Sequence, residues 1–128
     1  MDTFEILSQL CSAAGVSGAE CSATEAAAKL LEEYGEVTLD NALGSVICKV
    51  GSWEDGKPVM LLDAHIDEIG MIVTYITEDG FLKISGCGGL DTRLLLAQQV
   101  TVYGKEKLTG IVTSTPPHLE KDLSLIHI

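Results

Sequence analysis

Between Val59 and Gly70 the apolar run Val59-Met60-Leu61-Leu62 gives way to four ionisable side chains within six positions: Asp63, His65, Asp67 and Glu68. The run follows the breakers Gly56 and Pro58, is too short for a helix, and predicts a buried strand. The chain is expected to organise around it. In open α/β sheets ligand sites form just beyond the carboxyl ends of strands, which is where His65 and Asp67 stand. Extended residues at i and i+2 project to the same side, so both side chains can serve one site. A neutral imidazole binds zinc through one nitrogen while a carboxylate holds the other N–H, fixing the tautomer and raising basicity. Residues so close in sequence need not form that bond, and the pairing stands here as a hypothesis.

A chain of 128 residues, 46% hydrophobic and 21% charged, has the composition of one globular domain with a core. A formal charge of -11 with only 8 Lys plus Arg excludes a basic nucleic-acid footprint. The four cysteines, Cys11, Cys21, Cys48 and Cys87, are widely spaced with no C-x-x-C pair. They are expected to be reduced, mostly core-filling and cytoplasmic. No basic region precedes an apolar stretch at the N-terminus, and no run reaches the roughly 18 apolar residues of a membrane span. A cytoplasmic protein with neither nucleic acid nor membrane as partner is expected.

In chain order, Asp2 with Glu5 predicts the capping box of a first helix, with Phe4, Leu7, Leu10, Cys11 and Ala14 on one face. Gly15-Val16-Ser17-Gly18 breaks it. Ser22 with Glu25 predicts a second box, on a helix whose stripe is Ala23, Ala26, Ala27, Leu30, Leu31 and Tyr34 and whose terminator is Gly35. From Glu36 the period becomes alternating, and Asp40-Asn41-Ala42-Leu43-Gly44 predicts a hairpin turn. Glu78-Asp79-Gly80 predicts a second hairpin between Met71–Ile76 and Phe81–Ile84. Short strand-like runs follow at Gln99–Tyr103 and Thr109–Val112. The fold class read from this order is layered α/β, helices over a mixed sheet, with a boundary near Val73 and a small all-β unit beyond it.

Taken together, these pieces resemble the N-terminal portion of the tetrahedral (TET) aminopeptidase family, which includes glutamyl and leucyl aminopeptidases and some members labelled endoglucanases. The resemblance rests on Gly15-Val16-Ser17-Gly18, Asp40-Asn41-Ala42-Leu43-Gly44 and Asp63-Ala64-His65-Ile66-Asp67-Glu68-Ile69-Gly70. It continues through Glu78-Asp79-Gly80-Phe81-Leu82, Gly88-Gly89-Leu90-Asp91-Thr92-Arg93, Gln99-Val100 and Pro116-Pro117-His118-Leu119. It implies residues 1–73 as the N-terminal part of a zinc-peptidase α/β domain and 74–121 as part of an inserted small β-barrel-like domain. The inserted domain takes part in oligomer formation, as dimers assembling to a dodecamer. The resemblance also implies peptide substrates with free N-termini and two divalent metal ions, zinc or cobalt, that polarise the scissile carbonyl and activate a water for a general-base glutamate. His65 takes the position of a metal ligand, and Asp67 that of the catalytic-site acid which orients it.

The remaining ligands and the general base of that pattern come after the inserted domain, and the sequence ends at Ile128 before reaching them. The expectation is a truncated chain, inactive alone and prone to aggregation through uncovered edges. Its tail, 122–128, does not resemble the family's continuation and is expected to be non-native. Asp63 and Glu68 are left outside the site, His118 is read as structural, and His127 carries no functional weight.

Gly86-Cys87-Gly88-Gly89 lacks the G-K of a phosphate loop and reads as a tight turn, with no histidine near Cys87 to activate it. Asp91 and Arg93 either pair with each other or meet a neighbouring subunit. Arg93 through Leu96 belongs either to an interface or to the β unit's core. The competing reading of the whole chain is non-catalytic: a self-association module in which His65-x-Asp67 is a remnant.

Overall fold

The structure, a computed structural model, describes residues 2–40 and 42–114. The expectations for His118, His127 and the tail 122–128 lie outside the described residues. The chain divides into two compact units between Gly88 and Gly89. Val73, the expected boundary, lies within a strand of the first.

The first unit opens with helix α1, Thr3–Ser12, capped as its sequence predicts: Asp2 Oδ1 accepts from the Glu5 N–H at 2.8 Å and Glu5 Oε2 from the Asp2 N–H at 3.0 Å. This reciprocal pair satisfies donors that the first turn would otherwise leave open. Helix α2, Cys21–Leu31, starts differently from expectation. Its N-cap is Glu20, without a side-chain cap, and Ser22 already lies in the first turn. The Glu20 carboxylate is engaged outside the helix, accepting from the Gly18 N–H at 2.6 Å, while its carbonyl accepts from the Thr24 N–H and hydroxyl. Those bonds start the helix before Ser22.

Strands β1, Glu36–Asp40, and β2, Ser45–Lys49, form the first predicted hairpin. Asp40 shapes its turn, its carbonyl accepting from the Gly44 N–H and its carboxylate from the Ala42 N–H. Helix α2 lies against this hairpin: the Thr24 hydroxyl reaches the Gly44 carbonyl at 3.2 Å and the Cys48 thiol the Leu31 carbonyl at 3.6 Å. The buried face is therefore Ala23, Thr24, Ala28 and Leu30. It is rotated from the expected stripe, and Tyr34 stays exposed.

Strands β3, Gly70–Ile76, and β4, Leu82–Cys87, form the second predicted hairpin. Gly80, at φ 84, supplies the left-handed position that the turn requires. Its N–H donates to the Thr77 carbonyl, and Thr77 Oγ1 accepts from the Phe81 N–H. The register shifts between Val73 and Tyr75, leaving Thr74 as the extra residue of a bulge, with its hydroxyl on the Lys83 carbonyl.

Among its described residues, the second unit holds a 3-10 turn, Thr92–Leu94, and the hairpin of β5, Gln99–Tyr103, with β6, Lys107–Ile111. Asp91 and Arg93 pair with each other here. Asp91 accepts from the Arg93 guanidinium twice, at 2.9 and 2.8 Å, and from its N–H at 3.1 Å. The guanidinium and then the backbone bond hold the Asp91 carboxyl below the usual carboxylate range. A group whose pKa is lowered by folding stabilises the fold above its ordinary pKa and loses that contribution as pH falls through the lowered value. Arg93→Ala should therefore move the Asp91 midpoint, read from its carboxyl carbon by NMR, upward but not fully back, because the backbone bond remains. An unmoved midpoint would show that the ion pair is absent in solution.

Helix and strand are mixed as expected, but the described strands form three separate two-stranded antiparallel sheets, not one mixed sheet. The expected central strand is the main correction. Residues 58–67 lie in neither helix nor strand, and Leu61 and Leu62 are 85% and 86% exposed. An apolar run records a preference for burial, whereas a strand also needs a partner's N–H and C=O groups. Every described strand takes its partner from the adjoining hairpin arm. The cysteine expectation fails in part. All four are free, but Cys11, on a helix that buries none of its residues, and Cys21, the first residue of α2, are exposed.

Candidate functional site

The site begins with two segments that the chain separates by about fifty residues and the fold fastens together. Glu68 donates its N–H to the Gly15 carbonyl at 2.8 Å and accepts from the Gly15 N–H through Oε1 at 3.1 Å. Val16 and Glu68 form an isolated parallel bridge, and a Cβ on Gly70 would run into the Val16 side chain. Glu68, left outside the site by the sequence, is thus the clamp that holds loop 15–18 against the end of the 58–67 segment.

That clamp brings Ser17 to Asp67. The Ser17 hydroxyl donates to Asp67 Oδ2 at 2.5 Å, and the other oxygen, Oδ1, faces His65 Nδ1 at 3.0 Å. The hydrogen bond left open from sequence is therefore present. The Ser17 hydroxyl, then His65, holds the Asp67 carboxyl below the usual carboxylate range. An ionised carboxylate only accepts, so it places the proton on His65 Nδ1 and leaves the Nε2 lone pair for a ligand. The order is hydroxyl, carboxylate, imidazole. Ser17 has no base of its own and is not arranged as a nucleophile, which would need its hydroxyl on the imidazole.

His65 is at the lip of two open hollows of the first unit. One, of about 620 Å³, has apolar walls from Leu7, Leu10, Leu30 and Leu31; the other, of about 400 Å³, takes in Asp63, Asp67 and Glu20. The histidine side chain is 87% exposed and reachable.

As a holder of metal, this constellation is partial. The geometry of His65 suits one ligand with its orienting acid. A catalytic zinc normally has three protein ligands, and among the described residues no group of three or more His, Cys, Asp or Glu is placed to hold an ion. Ser17 was missed because nothing in its spacing connects it to Asp67; only the reciprocal Gly15–Glu68 bonds do.

A family model described as M42 glutamyl aminopeptidase matches residues 44–124. The lysyl aminopeptidase of Pyrococcus furiosus is 28% identical over 124 residues, covering 95% of this chain and 35% of the relative. A solved TET aminopeptidase from the marine sediment archaeon Thaumarchaeota archaeon SCGC AB-539-E09 superposes with a TM-score of 0.79 at 34% identity, covering 91% of this chain and 33% of that one. The PhTET1-12s structure, a dodecamer in its asymmetric unit, gives a TM-score of 0.76 at 35% identity, covering 94% and 36%. The chain spans about a third of the length of these proteins.

Proposed function

The chain belongs to the M42 glutamyl aminopeptidase family, and on that premise we propose that it supplies the N-terminal third of a metal-dependent aminopeptidase. In this reading residues 1–73 are part of the zinc-peptidase α/β domain and 74–121 part of an inserted β domain. His65 is a ligand of one of two divalent ions, zinc or cobalt, and Asp67 holds its ring. The observation that carries the reading is the 3.0 Å contact between His65 Nδ1 and Asp67 Oδ1, which turns Nε2 outward as a ligand atom. When bound, such ions supply Lewis acidity at a peptide carbonyl and at water. What these residues do is narrower: they hold one imidazole in one tautomer at the edge of a hollow.

Peptides with free N-termini are the proposed substrates. A homo-oligomer is the proposed assembly, supported by the dodecamer among the similar structures. With one candidate ligand among its described residues, the 128-residue chain alone should not hydrolyse peptides. Joined to the C-terminal two thirds of the Pyrococcus furiosus relative, it should release N-terminal residues, stop on addition of EDTA and recover with zinc or cobalt. Release untouched by EDTA would remove the metal from the proposal; release by the 128-residue chain alone would remove the divided site.

A further inference from the structure

We propose that Ser17 is a positioning residue that acts through Asp67 to set the tautomer of His65. Its functional consequence rests on the reading of His65 as a metal ligand, while the positioning itself does not.

Among the described residues, 58–67 have no ladder partner, and the side chains of His65 and Asp67 are 87% and 43% exposed. On such a segment a contact between residues i and i+2 has nothing to hold it, because both side chains can turn to water together. Ser17 brings the missing external reference. It sits on the loop that Gly15 and Glu68 fasten by two backbone-anchored bonds, so its hydroxyl is fixed relative to Asp67 rather than moving with it. With Oδ2 held by that hydroxyl, rotation of the carboxylate breaks two bonds at once, and Oδ1 stays on Nδ1. The imidazole then keeps its proton on Nδ1 and its lone pair on Nε2. Ser17 is exposed, so its replacement opens no cavity.

The test is a long-range 1H–15N spectrum of His65 in the protein joined to the relative's C-terminal portion, freed of metal and 15N-labelled at histidine, at alkaline pH, recorded for wild type, Ser17→Ala and Ser17→Thr. Wild type should show Nε2 at the unprotonated position. In Ser17→Ala both ring nitrogens should move toward the shifts of two exchanging tautomers, and Ser17→Thr, which keeps a hydroxyl, should restore the wild-type spectrum. An unchanged spectrum in Ser17→Ala overturns the proposal, and so does an equal disturbance by Thr and Ala. A second measurement separates this from the site assignment. In the protein joined to the relative's C-terminal portion, Ser17→Ala should weaken zinc binding by about 10- to 100-fold. Wild-type zinc affinity in His65→Ala would refute the ligand reading and leave the tautomer result standing.

Discussion

In the joined protein, His65→Ala should abolish release of N-terminal residues from peptides, while Asp67→Asn should lower it by about 10- to 100-fold. The two substitutions differ because they remove different things. Alanine deletes the ligand atom, and no other described histidine, cysteine or carboxylate is grouped to replace it. Asparagine keeps the shape but offers one acceptor oxygen where Asp67 offers two, and both the Ser17 hydroxyl and the His65 Nδ1–H require one. One of them loses its partner, and the imidazole then spends part of its time with Nε2 protonated. Added zinc should accordingly recover part of the Asp67→Asn loss and none of the His65→Ala loss. Full activity in His65→Ala would end the assignment of this residue to the metal.

Gly35→Ala should be the most damaging small substitution in the described part of the first unit, costing about 1–3 kcal/mol through overpacking. Gly35 lies between α2 and β1, where the chain passes directly over the end of β2. A Cβ there would collide with the Lys49 carbonyl oxygen and stand 2.8 Å from its carbon and 3.2 Å from Cys48 Sγ. Backbone cannot rotate away as a flexible side chain can, so the hairpin must shift from α2, and the Thr24 and Cys48 bonds that join them must lengthen. The measurement is the midpoint of thermal unfolding of the joined protein. Gly44→Ala is the informative control, since no atom lies within 4 Å of its Cβ and its φ of 70 carries only a conformational penalty. A smaller loss in Gly35→Ala than in Gly44→Ala would show that the close approach is not what makes Gly35 necessary.

What the sequence disclosed was local. The α1 capping box, the hairpins around Asp40–Gly44 and Glu78–Gly80, and the His65–Asp67 contact all join neighbouring stretches of chain, the widest pair being Gly70 with Cys87, and there periodicity and turn chemistry decide the outcome. The start of α2 was misread because Ser22 and Glu25 satisfy the same rule that Glu20, tied to Gly18 and Thr24, overrides. Val59–Leu62 was misread for a different reason. Its apolarity was legible, but its strand character depends on a partner that no local pattern announces. The bonds from Ser17 to Asp67 and from Gly15 to Glu68 span 50 and 53 residues and left no trace in spacing. The family resemblance had flagged both segments, and only the fold showed that they touch.

Once the rest of a family member is present, His65 Nε2 should bind a metal. A crystal structure of the joined protein grown with zinc, with anomalous scattering recorded at the zinc edge, tests it directly. The expected result is an anomalous peak about 2.0–2.1 Å from His65 Nε2, with Asp67 still on Nδ1. Zinc bound elsewhere in the molecule, with His65 turned away from it, would show that His65 is not a ligand.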